Sequence, residues 1–498
     1  MTNILDKNIG FIKNPFSKFS AEEEKEFHTE IFYPPTFYNT LLDDLKTGTS
    51  RFILGQRGHG KSSIIHKLKI DLEKSDVLTI IIDRFDEISL TNNKIEILNL
   101  ILNQFVTKYV IFLEKNKEVL KKLNKKDKEE LALLIKLFFK PLTNSEFEKK
   151  YNNVTKIERK NILKKIYNYI IHPTNALLNT GVLITAKLVS ESLKLPEDIE
   201  TKYTDFLKEF DIKSEYDANN DEKKLLKSKR QLKELLDKLN LIAKKSYFKS
   251  SVILFDKVDE FQDLEQDIEK IANFSKDLLT DTELLMQNDI AIAFSLWSEV
   301  KPTLSKTVRF DKFKEIDIRW TSNDMIPLID QRIKYFSGGN RKFNDLFDSG
   351  TEVKEVITIS NKSPRDLISC MSDIYDFQST RPDVSRFDGT SVSKGLIKFA
   401  KRYDYLSMYP SRTAKNKDVL TTINNILRIK KVSFSIKDLN LTFNQKSNWS
   451  RRQVELMLKY NLIKENMILG PNNEKIYDVL DPKIIHLIKR NIKSLDEQ

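Results

Sequence analysis

Short apolar runs rich in β-branched residues recur along the chain and are separated by long stretches with helical spacing. The runs cover residues 51–54, 77–82, 251–255 and 289–295, and residues 315–320, which alternate charged and apolar positions, predict a fifth strand. Runs of this length with little polar alternation are typical of strands that are buried on both faces of a parallel sheet. The pattern predicts an α/β fold with a parallel sheet at its centre.

From residue 94 to residue 246, glycine almost disappears and apolar residues recur at helical spacing, as in Ile95, Leu98, Ile101 and Leu102. We predict a large helical insertion here, with its Lys/Glu runs on solvated helix faces. The longest apolar stretch, residues 176–193, is interrupted by polar and charged side chains, so it predicts a buried helix rather than a membrane span.

The last third of the chain predicts two further units. Pro364 follows Ser363 and marks a helix start inside a helical lid over residues 321–409. Residues 418–427, 435–439 and 450–460 predict helices, and 467–469 and 475–479 predict strands around a turn, which together make a winged helix. The predicted units are residues 1–93 and 247–320 (two parts of the sheet domain), 94–246 (insertion), 321–409 (lid) and 410–498 (winged helix).

Composition and charge narrow the functional classes. Hydrophobic residues make up 40% and charged residues 31% of 498, which is ordinary for a soluble globular protein. The only cysteine is Cys370 and residues 1–10 lack the apolar core of a signal peptide, which favours a reducing cytoplasm. Residues 410–498 contain 17 Lys+Arg against 9 Asp+Glu, so this segment carries +8 of the net +12. That excess favours an acidic partner, with nucleic acid first.

Directly after the first predicted strand, the chain matches the phosphate-loop pattern G-x-x-x-x-G-K-[ST] at every fixed position. Glycines allow the backbone to turn its N–H groups towards phosphate oxygens, and the following helix points its positive end at the same anion. Lys61 is expected to contact the β- and γ-phosphates, and the Ser62 hydroxyl to bind Mg²⁺. The predicted binding residues are Gly55, Gln56, Arg57, Gly58, His59, Gly60, Lys61, Ser62 and Ser63.

An acidic motif follows the predicted strand at residues 251–255. Asp256 is placed to hold the Mg²⁺ shell, and Asp259 and Glu260 to orient and deprotonate an attacking water. Either of the last two fits the role of base, and we favour Glu260. Because almost 200 residues separate Asp256 from Lys61, the insertion is predicted to lie between two halves of one site.

Three further residues are candidates for contact with the phosphates. Ser295, at the end of its predicted strand, fits a γ-phosphate sensor and also an ordinary strand-end serine. Arg309 fits an arginine finger that reaches a neighbouring subunit and also a surface arginine. Arg365, in the first turn of the predicted lid helix, is expected to fold back on the nucleotide.

Two aromatic residues and one helix are candidates for other ligands. Phe16 or Tyr33, in the segment before the phosphate loop, fits a face that stacks on the base and also an ordinary hydrophobic anchor. The third helix of the predicted winged helix carries the basic residues Arg451, Arg452 and Lys459, and Gln453 is suited to base edges. Winged helices also bind proteins, so both kinds of partner fit.

Taken together, these features resemble an AAA+/STAND-class P-loop ATPase. The resemblance rests on residues 55–62, the Asp256-x-x-Asp259-Glu260 motif, Ser363-Pro364-Arg365 and the terminal winged helix, and it leaves the insertion uncovered. Ordinary AAA+ members have Glu directly after the Asp, whereas this chain has Lys257. The resemblance implies ATP and Mg²⁺ as ligands, a Mg-dependent ATPase that acts as a switch, a homo-oligomer and no membrane.

Two biological roles follow from narrower resemblances. The Asn14-Pro15-Phe16 start and the lid motif resemble a bacterial P-loop ATPase family often found in anti-phage defence operons, which implies an effector protein as partner. Origin-recognition-type initiators share the winged helix and the lid arginine. The alternative that they imply is an initiator- or transposition-type ATPase that binds double-stranded DNA.

Overall fold

The computed structural model describes residues 4–86, 88–138, 229–408, 416–470 and 473–496. Five parallel strands form the central sheet in the order β2-β3-β4-β1-β5. The strands are β1 (Arg51–Gly55), β2 (Val77–Ile82), β3 (Ser250–Phe255), β4 (Ile290–Trp297) and β5 (Glu315–Asp317). The predicted α/β fold is confirmed. The phosphate loop leaves β1, the acidic motif leaves β3 and β4 lies between them, as expected of an AAA+-type P-loop fold.

Both faces of the sheet are buried, because successive strand residues alternate between two hydrophobic cores. Ile53 and Leu254 point into one core, which is continuous with the lid and the winged helix. Phe52 and Phe255 point into the other core, which includes the helices of the insertion. Strands that are buried on both faces read as continuous apolar runs, and this explains why the sequence pattern located them.

Helices before and within the sheet domain cover its two faces. In chain order they are α1 (Ile4–Ile9), α2 (His28–Ile31), α3 (Tyr38–Lys46), α4 (Lys61–Glu73), α5 (Lys94–Lys115), α6 (Lys125–Phe138), α7 (Lys229–Ser246), α8 (Ile268–Leu279), α9 (Thr282–Leu285) and α10 (Lys301–Leu304). Short 3₁₀ turns lie at Lys117–Lys122, Val258–Glu260, Gln262–Leu264 and Ser298–Val300. The predicted buried helix at residues 176–193 lies outside the described residues.

Helix α5 is the longest helix of the described part of the insertion. Its stretch Lys94–Leu113 is the one described segment that is long and apolar enough to cross a membrane by length and composition. Leu98, Leu102 and Phe105 on this helix are fully buried in the core beneath β2 and α7. Core helices of soluble proteins meet the same criterion, so this stretch by itself is weak evidence for a membrane span.

The lid is a set of helices packed behind the phosphate loop. It comprises α11 (Ser322–Phe336), a 3₁₀ turn (Phe343–Leu346), α12 (Gly350–Ile359), α13 (Pro364–Ser379), α14 (Gly389–Arg402) and α15 (Tyr405–Met408). Helix α13 begins where predicted, and the Ser363 hydroxyl accepts from the N–H of Asp366 at 3.2 Å. A Cβ on Gly395 of α14 would lie 2.6 Å from the Ile374 Cα, so α13 and α14 pack in direct backbone contact.

The C-terminal unit is a winged helix, as predicted. Its elements are α16 (Asn416–Ile429), β6 (Ser433–Ser435), α17 (Ile436–Phe443), α18 (Ser447–Lys459), β7 (Ile463–Glu465), β8 (Ile476–Val479) and α19 (Pro482–Lys489). The three strands form an antiparallel sheet in the order β6-β8-β7. Neither β6 nor α19 was predicted.

One wing strand was predicted in the wrong place. Residues 467–469 are apolar but do not form a strand, and the wing strand before the turn is β7, four residues earlier. Ile463 anchors β7 because its side chain is buried, whereas Met467 is fully exposed and Ile468 nearly so. Apolar composition alone therefore misplaced the strand.

Candidate functional site

The phosphate loop has the backbone geometry that its glycines allow. Gly58 and Gly60 have φ of +79° and +87°, a region in which glycine is favoured, and α4 begins directly afterwards at Lys61. A Cβ placed on Gly60 would meet nothing within 4 Å, so open space lies in front of this turn. The buried Lys61 Nζ donates to the carbonyl oxygen of Gly55 at 3.1 Å. The loop and the first turn of α4 therefore present N–H groups and one ammonium to the same space.

Side chains around the loop are held by hydrogen bonds to the rest of the domain. The Gln56 side chain donates to Glu299 at 2.7 Å and accepts from the Trp297 indole at 3.0 Å. The His59 ring is 3.3 Å from the Ile318 carbonyl oxygen, and burial lowers the pKa of His59 below its usual value. These contacts fix the positions of Gln56 and His59, and Gln56 also lines the open space in front of the loop.

Asp256 lies at the carboxyl end of β3, next to the start of α4. Burial raises the pKa of its carboxyl to about 6, and the Ser62 and Ser295 hydroxyls oppose that rise. Ser295 lies inside β4, which continues to Trp297, so the prediction of a strand-end position was wrong. Its Oγ is fully buried and makes no hydrogen bond of ordinary geometry with the described residues. The structure thus brings Ser62, Asp256 and Ser295 together.

Asp259 is bound to the phosphate loop. Its carboxylate Oδ2 lies 3.6 Å from Arg57 Nε and 3.9 Å from Lys61 Nζ, and its side chain is buried. Arg57 Nη2 also donates to the Asp259 carbonyl oxygen at 3.1 Å, and its guanidinium lies 4.5 Å from the Trp297 ring centroid. Two cations therefore already balance the charge of the Asp259 carboxylate.

Glu260 differs from Asp259 because its side chain is exposed. The 3₁₀ turn Val258–Glu260 is closed by the Glu260 N–H, which donates to the Lys257 carbonyl oxygen at 3.0 Å. Lys257 has φ of +60° and forms an ion pair with Glu22, with Nζ 2.6 Å from Oε1. The residue that stands where ordinary AAA+ members have Glu is therefore bound to the N-terminal segment.

The lid contacts the phosphate loop at Gly58. The Arg365 N–H donates to the Gly58 carbonyl oxygen at 3.3 Å, and a Cβ on Gly58 would lie 2.6 Å from Ser363 Oγ. The Arg365 side chain is exposed and faces the same open space as Lys61. The first turn of α13 therefore lies where a lid arginine was predicted.

Loop, acidic motif and lid enclose one cavity of about 620 Å³. Its lining includes Lys61, Ser62, Asp256, Glu260 and Arg365. Its volume lies within the range of clefts that hold small molecules the size of a cofactor. The two distant halves of the predicted site thus meet at a single cavity.

The N-terminal segment closes one side of this cavity. Glu22 and Tyr33 belong to its lining, whereas Phe16 is fully buried against Phe11 and Phe387 and does not line it. The hypothesis that Phe16 stacks on a base was therefore wrong. Tyr33 stays a prediction for that contact.

Polar contacts besides the Glu22–Lys257 pair hold this segment against the core and the lid. Glu24 pairs with the buried Arg332 of α11 at 2.5 Å, and His28 Nε2 lies 2.8 Å from Ser63 Oγ. An acidic run such as residues 22–24 is typical of a helix start, but turns occupy residues 21–27 and α2 begins only at His28. The acidic side chains bind cations of the core and lid instead. A turn signal at Asn14-Pro15 was visible in the sequence, but these long-range pairs had no local signal.

The other predicted residues lie away from the cavity. Arg309 is exposed between α10 and β5 and pairs with Asp311 at 2.8 Å, so its role towards a neighbouring subunit stays a prediction. Arg451, Arg452 and Lys459 are exposed on α18 of the winged helix. The Gln453 side chain accepts from Asn425 at 3.2 Å, and this contact occupies an atom that was predicted to read base edges.

Features of the cavity fit a nucleotide with its metal ion. The space before Gly60 is open, so a phosphate there would accept hydrogen bonds from the loop N–H groups. Among the described residues, no group of three or more His, Cys, Asp or Glu side chains gathers at one point. Ser62 and Asp256 would hold a Mg²⁺ ion here together with phosphate and water oxygens, because Mg²⁺ prefers oxygen ligands.

Comparison with known proteins gives fold likeness only. No protein-family model matches the sequence, and no curated protein matches it. Among solved structures, it is similar to the Aeropyrum pernix ORC2 protein in ADPNP–ADP complexes, with 8% identity, a TM-score of 0.37 and coverage of 98% of this chain and 97% of that chain.

Two further solved structures show the same level of likeness. The Aeropyrum pernix ORC1 protein in complex with DNA has 9% identity, a TM-score of 0.35 and coverage of 93% and 96%. Drosophila ORC bound to DNA has 10% identity, a TM-score of 0.28 and coverage of 98% and 91%. Because these scores are low, the fold assignment rests on strand order and the phosphate loop.

Proposed function

We propose that this protein is an ATP-binding, Mg²⁺-dependent ATPase that works as a nucleotide-controlled switch. The observation that carries the proposal is the convergence of Lys61, Ser62, Asp256 and the lid residue Arg365 on one cavity. The four come from β1–α4, β3 and α13, which are far apart in sequence. A phosphate loop in this context is a strong signal for a nucleoside triphosphate.

Each residue has a role that follows from its position. Lys61 and the loop N–H groups bind the phosphates. Ser62 and Asp256 would hold Mg²⁺, which would neutralise phosphate charge. Glu260 is the base: it takes the proton of a water that attacks the γ-phosphorus as the bond to the β–γ bridging oxygen breaks, giving ADP and phosphate. We assign Asp259 the role of holding Arg57 in place rather than that of the base, because two cations already balance the charge of its carboxylate.

The switch follows from the contact between lid and loop. Arg365 is bound through its N–H to Gly58 and lines the cavity, so occupancy of the γ-phosphate position alters how closely α13 rests on the loop. Directly after Arg365, Asp366 lies 3.4 Å from Lys483 Nζ of α19, and both side chains are largely buried. The lid is thereby linked to the winged helix by an ion pair whose aspartate also lines the cavity.

Two variants test the enzymatic proposal. Glu260→Gln is expected to bind ATP as tightly as the wild type and to lower turnover by about 10² to 10⁴, the usual contribution of a general base. Lys61→Ala is expected to lose ATP binding. If turnover in Glu260→Gln equals that of the wild type, Glu260 is not the base. Glu23→Gln is the matched control for the charge change, because Glu23 is exposed, bonded to the Phe19 N–H and outside the lining of the cavity.

For the biological role, we propose a component of a bacterial anti-phage defence system that acts in the cytoplasm, as a homo-oligomer, with an effector protein. It is supported by the resemblance of Asn14-Pro15-Phe16 and of the lid motif to ATPases of such operons. Plaque counts in a host that carries the native locus test it: the wild type should lower them and Lys61→Ala should not. Equal counts would contradict the role, and mass measurement with and without ATP tests assembly.

A second candidate function is a DNA-binding ATPase of the initiator or transposition type. The observation that favours it is the winged helix itself, whose helix α18 exposes Arg451 and Arg452. Winged-helix modules place such a helix in the major groove of DNA. Salt-dependent binding to duplex DNA that weakens in an Arg451→Ala/Arg452→Ala variant would favour this function.

A further inference from the structure

Two carboxylates, those of Glu22 and Glu260, are candidates to pair with the ammonium group of Lys257. It pairs with Glu22 at 2.6 Å, and Glu260 lies at the far end of the same 3₁₀ turn. The turn is closed by a hydrogen bond from the Glu260 N–H to the Lys257 carbonyl oxygen, and residues three apart in such a turn lie on the same side. Lys257, Glu22 and Glu260 all line the cavity that contains Lys61.

Charge effects agree with this geometry. Burial opposes the charge on Lys257, but the Glu22 hydrogen bond and charge outweigh it, and the carboxylates of Glu260 and Asp83 add to the rise in the Lys257 pKa. On the other side of the pair, burial is outweighed by the Lys257 hydrogen bond, which lowers the pKa of Glu22 to about 2. Glu22 therefore stays ionised and holds Lys257 throughout the physiological range.

We propose that Glu22 is a positioning residue for turnover: it holds the Lys257 ammonium and so keeps it from pairing with Glu260. A lysine that pairs with the Glu260 carboxylate stabilises the charged form and makes it a weaker base. This chain has Lys where a glutamate is usual, and the Glu22 pair prevents that lysine from neutralising the base. The inference rests on the proposed function, since it assumes that Glu260 accepts the proton.

The N-terminal segment gains a role from this arrangement. Glu22 reaches Lys257 only while residues 19–33 lie over the cavity, where Glu24 and His28 also hold them. Closure of the segment therefore covers the cavity and also keeps Lys257 from pairing with the base, Glu260. A purely structural strap would cover the cavity without any effect on proton transfer.

The test measures kcat and KM for ATP with the full chain in the variants Glu22→Gln, Lys257→Met and the double variant. Glu22→Gln is expected to lower kcat about three- to tenfold with little change in KM, since only the base is affected. In the double variant no ammonium remains to pair with Glu260, so kcat should return to within about twofold of Lys257→Met. Glu23→Gln is the matched control, because Glu23 is exposed, adjacent and bound to the Phe19 N–H at 2.9 Å rather than to Lys257.

Other outcomes overturn the inference. If Glu22→Gln and the double variant lose kcat equally, the pair is structural and no base is being protected. Binding of a fluorescent ATP analogue separates a misfolded variant from a slow one, and a Glu22→Gln chain that no longer binds the analogue also contradicts the proposal. If Glu260→Gln abolishes turnover but Glu22→Gln leaves it unchanged, only this inference fails. If Glu260→Gln has no effect, the proposed base itself is wrong.

Discussion

The contact between lid and phosphate loop predicts a specific effect of Gly58→Ala. Gly58 has φ of +79°, and a Cβ there would lie 2.6 Å from Ser363 Oγ and 3.3 Å from Arg365 Cβ. Gly60 has a similar φ of +87°, but a Cβ there would meet nothing within 4 Å. The two substitutions therefore impose the same kind of backbone strain, and only one of them pushes against the lid.

The size of the effect on lid opening follows from the lid hydrogen bonds that Gly58→Ala weakens. Left-handed backbone costs an alanine about 1–2 kcal/mol at either position. At Gly58, Ser363 must also move, which weakens its cap on the Asp366 N–H, worth about 1 kcal/mol. The bond from the Arg365 N–H to the Gly58 carbonyl oxygen, worth about 1 kcal/mol, is lost as well. Gly58→Ala should therefore favour lid opening by about 2 kcal/mol, or about 30-fold, relative to Gly60→Ala.

Hydrogen exchange without nucleotide measures this difference. Amides of residues 363–370 should exchange about 30-fold faster in Gly58→Ala than in Gly60→Ala, with no difference in β3 at the sheet centre. Nucleotide is left out because a side chain at Gly60 would enter the open space where phosphates are proposed to bind. Equal exchange in the two variants would refute the inferred contact between α13 and the loop.

Three further predictions concern the winged helix. Lys483→Met leaves the Asp366 carboxylate buried without its partner, so the free energy of unfolding of the lid and winged helix in urea should fall by about 3–5 kcal/mol. Adding Asp366→Asn to the same chain should recover most of this loss. A loss below about 1 kcal/mol would contradict the pair. Burial lowers the pKa of His486 to about 4, whereas the same side chain in the unfolded chain binds a proton near pH 6.5. The free energy of unfolding should therefore fall by up to about 3 kcal/mol between about pH 6.5 and 4, and it should fall less in His486→Phe. The charge of Glu355 opposes this fall in the pKa of His486, and the charges of Arg490 and Lys489 add to it. If α18 binds DNA, Arg451→Ala/Arg452→Ala should reduce the slope of log affinity against log salt by about 2, and an unchanged slope would exclude phosphate contacts there.

Local sequence pattern was sufficient for the sheet and the phosphate loop. Strands buried on both faces are continuous apolar runs, and the loop is specified by glycines at fixed spacing followed by Lys61 and Ser62. Both signals lie within a few residues of chain. The helix start at Pro364 was located for the same reason, since Ser363 caps it.

Features that depend on burial or on distant partners were missed. Residues 467–469 look like a strand by composition, but only burial distinguishes a strand from an exposed wing, as Ile463 and Met467 show. The pair of Glu22 with Lys257 joins positions more than 200 residues apart, and the pair of Asp366 with Lys483 joins two domains. No local periodicity carries that information. The domain boundaries and the roles of the site residues stay predictions.

The central claim is that the phosphate loop and the acidic motif bind one triphosphate with one metal ion. Calorimetric titration with ATP, with Mg²⁺ and with EDTA instead, tests it most directly in the wild type, Lys61→Ala and Asp256→Asn. We expect Mg²⁺ to raise the affinity of the wild type about tenfold or more, Asp256→Asn to lose that increase, and Lys61→Ala to lose binding altogether. If Lys61→Ala binds ATP as tightly as the wild type, or if Mg²⁺ strengthens binding equally in Asp256→Asn, the two segments do not form one site.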